Sequence, residues 1–243
     1  MSKYGLPDYG MYAALENMGN LVDYGELATR LGSIVSFNRE GNVIFWDDFE
    51  KTPIKWLNLT GGTGSYVALT NERALSGGQS VKIQAGPTAG FYAKIYRGFP
   101  FFATGRQGVE LAFHPLSGGG YLYIQTDIYH KTFCYRPIVR LDLGFDDVHI
   151  WGDDDQWHQI ESDIEYCGEG NLFHYFKLVL DTEKETYVRL MMDRFEYNIE
   201  EYRLPTVAFG GSPQYMIYLT IETKTTDYSK VCIDNFILTQ NEP

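Results

Sequence analysis

The sequence predicts an all-β fold, an antiparallel jelly-roll β-sandwich, preceded by an N-terminal arm containing short helices. Three observations carry that prediction. From Val43 onward apolar and polar residues alternate with a period of two, the spacing at which successive side chains point to opposite faces of a strand. Between the alternating stretches stand the Gly-rich turns TGGTG, LSGGQ, AGPTAG, LSGGG, YCGEGN and FGGSP, where glycine adopts positive φ without steric penalty. Aromatic residues make up 16% of the chain, with 19 Tyr and 15 Phe, and flat rings pack well on a pleated surface. Many strands with little helix between them exclude a βαβ pattern.

The elements follow in order. Residues 1–40 form the arm. MYAALENMG and DYGELATRLGS each suit a short helix, the second with Asp23 as N-cap, Gly32 as stop, and Leu27, Ala28 and Leu31 on one side. Helices this short are marginal alone, so the arm must lie on its own sandwich or on a neighbouring subunit. Residues 41–243 form the sandwich. Its strands are SYVALT, QSVKIQA, FYAKIYR, GVELAFH, YLYIQTDIY, YRPIVRLDL, QWHQIESDI, YFKLVLD, ETYVRLMM, QYMIYLTIET and VCIDNFILT. A hydrophobic content of 44% supplies a full core.

Charge narrows the partners. With 20 basic and 32 acidic residues the chain carries a net charge of −12 and has no cluster of Lys and Arg. Nucleic acids and anionic membranes are therefore excluded as partners. The acidic balance suits calcium sites or neutral ligands such as glycans. Cys134, Cys167 and Cys232 are odd in number, lack metal-finger spacing and read as buried free thiols, with one disulfide left open. MSKYGLPDYGMYAALENMGN has neither a basic n-region nor an apolar h-region, so no secretory signal is expected in this chain.

Several segments match a known architecture. DDFE, a Trp, a Gly-rich turn and then ALSGGQSVKIQ resemble the start of jelly-roll carbohydrate-binding modules. VCIDNFILT resembles their closing strand. The stretch from QWHQIESDI to RFEYNI resembles laminin-G and concanavalin A-like sandwiches. The resemblance spans roughly residues 43–240. It implies a structural Ca²⁺ between the first and last strands, held by Glu50 and Asp234, with carbonyls near Ser76–Gly78 as further ligands.

Two constellations bear on chemistry. Glu161-Ser162-Asp163-Ile164-Glu165 resembles the Glu-x-Asp-x-Glu motif of retaining β-jelly-roll endoglucanases, with the three acids on one strand face. That family has an apolar residue where Ser162 stands, and the segment is explained equally well as an ordinary strand, so no catalytic residue is assigned. Glycan binding needs an aromatic platform with a few polar groups. Tyr121, Tyr123, Gln125, Asp127 and Tyr129 share one strand face and supply both; Trp46, Trp56, Trp151 and Trp157 are further candidates. His149 and His158 flank an acidic loop and are close enough in sequence to meet.

The expectation is a non-catalytic structural or assembly protein, a virion surface or decoration component that also suits a glycan. The arm would tie it to itself or to other virion subunits, making a homo-oligomer on a virion or outside the cell. The alternative is a secreted carbohydrate-binding module, and a glucanase comes third.

Overall fold

A computed structural model describes residues 41–100, 104–117, 119–130, 132–164 and 172–243. They form two antiparallel sheets, with strands numbered in chain order. In the eight-stranded sheet the order is β14 (Phe195–Asn198), β13 (Thr186–Met192), β12 (His174–Asp181), β6 (Arg106–Ser117), β17 (Ser229–Gln240), β4 (Ser80–Ala85) and β3 (Tyr66–Thr70). There β1 (Asn42–Asp47) pairs with the second half of β17. The nine-stranded sheet runs β11 (Trp157–Glu161), β10 (Asp147–Trp151), β9 (Ile138–Asp142), β7 (Gly120–Tyr129), β16 (Gln214–Thr223), β5 (Tyr92–Pro100) and β2 (Leu57–Gly61). At one end β8 (Phe133–Tyr135) pairs with β7, and β15 (Thr206–Ala208) pairs with β8.

The core lies between the sheets and follows from the alternation. In β7 the inward Leu122, Ile124 and Ile128 are buried, and in β16 so are Tyr215, Ile217, Leu219 and Ile221. Val81 and Ile83 of β4, Phe113 of β6 and Leu178 of β12 meet them from the other sheet. Each inward side chain contributes roughly 1.5–3 kcal/mol of burial.

β17 is the strand that joins the halves of its sheet. Its ladder with β6 shifts between Asp234 and Ile237, and Asn235 takes a φ of 49°. Asn tolerates this left-handed conformation better than most residues. Before the bulge β17 pairs with β4, and after it with β1.

Several expectations need correction. QWHQIESDI is not one strand: β11 ends at Glu161, and Asp163 adopts a φ of 62°. YRPIVRLDL splits into β8 and β9 around Pro137, which has no N–H to give to a ladder. β1 takes in only the first residue of DDFE and stops at Asp47, because Phe49 has a φ of 55°. β2, β8, β10, β14 and β15 were not legible as separate strands. The arm, its helices and the assembly role assigned to it fall on residues 1–40, outside the described residues.

Cys134 and Cys232 are buried free thiols, and Cys167 lies outside the described residues. Burial pushes the Cys134 thiol up to about 12 and the Cys232 thiol up to about 11. Both are protonated and inert at neutral pH.

Candidate binding face

The alternation that buries one side of the nine-stranded sheet turns a second set of side chains outward. The ladder registers align them in rows. One row runs Lys94, Thr220, Tyr123, Arg140 and His149 across β5, β16, β7, β9 and β10. A second runs Leu57, Tyr96, Tyr218, Gln125 and Ile138. A third runs Tyr92, Glu222, Tyr121, Asp142 and Asp147. Tyr92, Tyr96, Tyr121, Tyr123, Tyr218 and Trp157 are all half-buried, so part of each ring reaches solvent. Leu57 and Leu59 on the edge strand β2 are 63% and 46% exposed and extend the apolar floor.

The rings are ordered against each other. Tyr96 and Tyr218 stack with centroids 5.7 Å apart and planes 23° apart. Tyr123 lies 6.2 Å from Trp157, which meets Trp151 edge-on at 5.0 Å. Burial, reinforced by the Glu222 charge, raises the Tyr123 hydroxyl above the usual phenol range. It therefore stays a neutral donor and acceptor at physiological pH.

The five predicted residues of β7 do share this face, but they divide into two groups. Tyr121, Tyr123 and Gln125 are half-buried and line the open part. Asp127 is 1% exposed and holds the end of the sheet together. Its carboxylate accepts from Gln125 Nε2 at 2.7 Å, Tyr129 Oη at 2.9 Å, and Arg136 through Nε at 3.1 Å and Nη2 at 2.9 Å. This bidentate pair is the strong geometry for a carboxylate and a guanidinium. Tyr129 is also buried and lies 4.3 Å from the Phe209 ring. Asp127 thus fixes Gln125 from two residues along the strand, and its own oxygens are occupied.

Cations are distributed over the aromatic floor. The Arg140 guanidinium lies 4.3 Å from the Trp157 ring and 5.0 Å from Tyr121. Lys94 Nζ lies 5.5 Å from Tyr218 and 5.8 Å from Tyr92. Lys224 Nζ sits 3.7 Å from the Phe145 ring and pairs with Asp142 Oδ2 at 2.7 Å. Burial, then the Arg140 charge, lowers the His149 pKa, which favours the neutral imidazole. Burial raises the Glu222 carboxyl.

Other candidates fall elsewhere. Trp56 is core, with its Nε1 donating to Asp47 Oδ2 at 3.2 Å, and Trp46 packs against Ile237. His149 and His158 do not meet as a pair on one face: His149 stands opposite Gln159, and His158 opposite Ile150, whose side chain is in the core. His158 Nε2 donates to Asp154 Oδ1 at 2.9 Å. A register shift between Val148 and His149 sets Glu161 opposite Val148, which points into the core, and Glu161 Oε1 accepts the N–H of Ser162 at 2.9 Å. Glu161 and Asp163 therefore do not form a row, and Glu165 lies outside the described residues.

Glu50 and Asp234 do converge, on the turn at residues 75–79. Asp234 Oδ2 accepts the N–H of Leu75 at 2.8 Å and of Ser76 at 3.2 Å, and Oδ1 accepts that of Asn235 at 2.8 Å. Glu50 Oε1 accepts the N–H of Gly78 at 2.8 Å and of Gln79 at 2.7 Å. Burial, with a smaller push from the Glu50 charge, takes the Asp234 carboxyl up to about 6. Among the described residues there is no group of three or more His, Cys, Asp or Glu arranged for a metal.

Sequence reasoning missed Lys94, Tyr96, Arg140, Tyr218 and Glu222. The signal was present in FYAKIYR, YRPIVRLDL and QYMIYLTIET, whose non-core positions carry these residues. What it lacked was the pairing of β5, β16, β7 and β9, which sets the three outer rows side by side.

No protein-family model and no curated protein matches the chain. Solved structures do. The chain is similar to a protein of unknown function with a galectin-like fold from Bacillus subtilis, at a TM-score of 0.57 and 10% identity over 84% of this chain and 98% of that one. It is similar to the endo-β-1,4-glucuronan lyase of the fungus Trichoderma reesei, at 0.55 and 10% identity over 82% and 95%. It is also similar to a carbohydrate esterase of the Shiga toxin-encoding bacteriophage phi24B, at 0.54 and 12% identity over 82% and 98%. At these identities the likeness is one of fold. The resemblance to carbohydrate-binding jelly rolls holds at that level.

Proposed function

We propose that the protein binds a glycan across the outer face of the nine-stranded sheet. The observation that carries this reading is the ordered, half-buried aromatic floor of Tyr96, Tyr218, Tyr123 and Trp157 around Gln125. Sugar rings present apolar C–H faces and polar edges, and such a floor with a few fixed polar groups suits both. The names of the structural neighbours support a glycan-related role for the fold. Fold alone carries no activity, so the weight rests on the face.

Affinity electrophoresis against a panel of neutral and acidic polysaccharides tests the reading. At least one polysaccharide is expected to retard the protein, and Tyr123→Ala and Tyr218→Ala are each expected to weaken retention by about tenfold, the effect of losing one stacked ring. Unchanged mobility in every gel would sink the proposal.

We also propose that a Ca²⁺ ion can join Glu50 and Asp234. The convergence of these two carboxylates on the turn at residues 75–79 supports it, because a divalent cation relieves the repulsion between them. Calcium is expected to raise the melting temperature of chelator-treated protein by mass action, and Asp234→Asn to remove the increment. Equal melting in calcium and in chelator would exclude the ion.

A further inference from the structure

Arg140 and Lys94 occupy one cross-strand row on the aromatic face, separated by Thr220 and Tyr123. Three inter-strand steps put their backbones roughly 14 Å apart. Each cation rests on rings: Arg140 on Trp157 and Tyr121, Lys94 on Tyr218 and Tyr92. Among the described residues neither forms an ion pair, although the chain has 32 acidic residues against 20 basic. Two of the nearby carboxylates are engaged elsewhere: Asp142 with Lys224 at 2.7 Å, and Asp127 with Arg136 at 2.9 Å. The Arg140 Nε is buried and has no hydrogen-bond partner among the described residues. A guanidinium held by its faces spends none of its N–H donors, which remain for a ligand.

We infer that this face selects acidic glycans, with Arg140 and Lys94 pairing oxyanion substituents on the sugar while the tyrosines carry the rings. The inference rests on the glycan-binding reading above and adds the ligand's charge. Arg140 suits the fork of a carboxylate or a sulfate, and Lys94 acts as a point charge. Glu222, in the adjacent row, is the carboxylate that opposes such a ligand when ionised. The expected preference therefore runs against the net charge of −12.

Isothermal titration of the full chain with oligogalacturonate, with the same oligomer methyl-esterified, with dextran sulfate and with cello-oligosaccharide tests it. The charged oligomers are expected to bind about tenfold or more tightly than the esterified one, the effect of one charge-assisted hydrogen bond. Arg140→Gln and Lys94→Gln are each expected to shrink that difference, and Glu222→Gln to enlarge it. Melting curves confirm that each variant is folded. Preference for oligogalacturonate assigns the oxyanion as carboxylate, and preference for dextran sulfate assigns it as sulfate; both support the inference. Equal binding of charged and esterified oligomers, or binding of cello-oligosaccharide alone, overturns it while leaving the glycan-binding reading in place. Failure of all four probes overturns the acidic selection, and the polysaccharide panel then decides the broader reading separately.

Discussion

Phe236→Ala is expected to lower the unfolding free energy by about 3–5 kcal/mol, the range for truncating a buried aromatic ring. Phe236 has no exposed surface and packs between the sheets. Its ring meets Trp56 edge-on at 4.9 Å and lies 6.1 Å from Phe45. The position lies within the β17 bulge and opposite Asp47 of β1, so the cavity would open where β1 and β17 pair. Phe195, 49% exposed on the edge strand β14, is the control; its truncation is expected to change stability by no more than about 0.5 kcal/mol. Urea unfolding measures both. Similar midpoints for the two variants would mean that Phe236 is not in the core.

Lys177→Met is expected to cost a similar amount, about 3–5 kcal/mol, for an electrostatic reason. Lys177 lies on the outward side of β12 and is fully buried. Its Nζ is 3.0 Å from Glu110 Oε1 and 2.8 Å from Glu242 Oε1. Arg189 Nη2 pairs with the other Glu242 oxygen at 3.0 Å. Removing the ammonium leaves the Glu110 and Glu242 carboxylates buried without the cation that joins them, and Arg189 faces Glu242 alone of the two. Urea unfolding measures the deficit, and a Lys177→Met variant as stable as the parent protein would contradict the electrostatic reading.

The fold was largely legible because burial writes itself into the sequence. Leu122, Ile124 and Ile128 alternate with Tyr121, Tyr123 and Gln125, and that pattern alone places β7 with one face inward. Short strands were lost where this signal is absent. β8 and β15 have three residues each, too few to establish a period, and β2 has a pattern exposed almost throughout. The Glu161 segment misled because alternation continues in sequence beyond the point where the backbone turns at Asp163.

The candidate face was legible along one strand and not across several. Tyr121, Tyr123 and Gln125 could be assigned to a face from β7 alone. Asp127 could be placed on that face too, but its burial depends on Arg136, from the loop between β8 and β9. The expectation of a neutral ligand came from a sum of charges, and a sum has no positions. Lys94 and Arg140 come from segments 46 residues apart in the chain, and the β5–β16–β7–β9 ladder sets them in one row.

A glycan is proposed to lie on the outer face of the nine-stranded sheet. Amide chemical-shift mapping with the polysaccharide fragment that retards the protein most tests it directly. Saturable shifts are expected in β5, β7, β9 and β16, centred on Tyr96, Tyr123, Arg140 and Tyr218, with β12 and β13 of the opposite sheet unmoved. Saturable shifts confined to the eight-stranded sheet or to the loops, with those four residues unperturbed, would contradict the account.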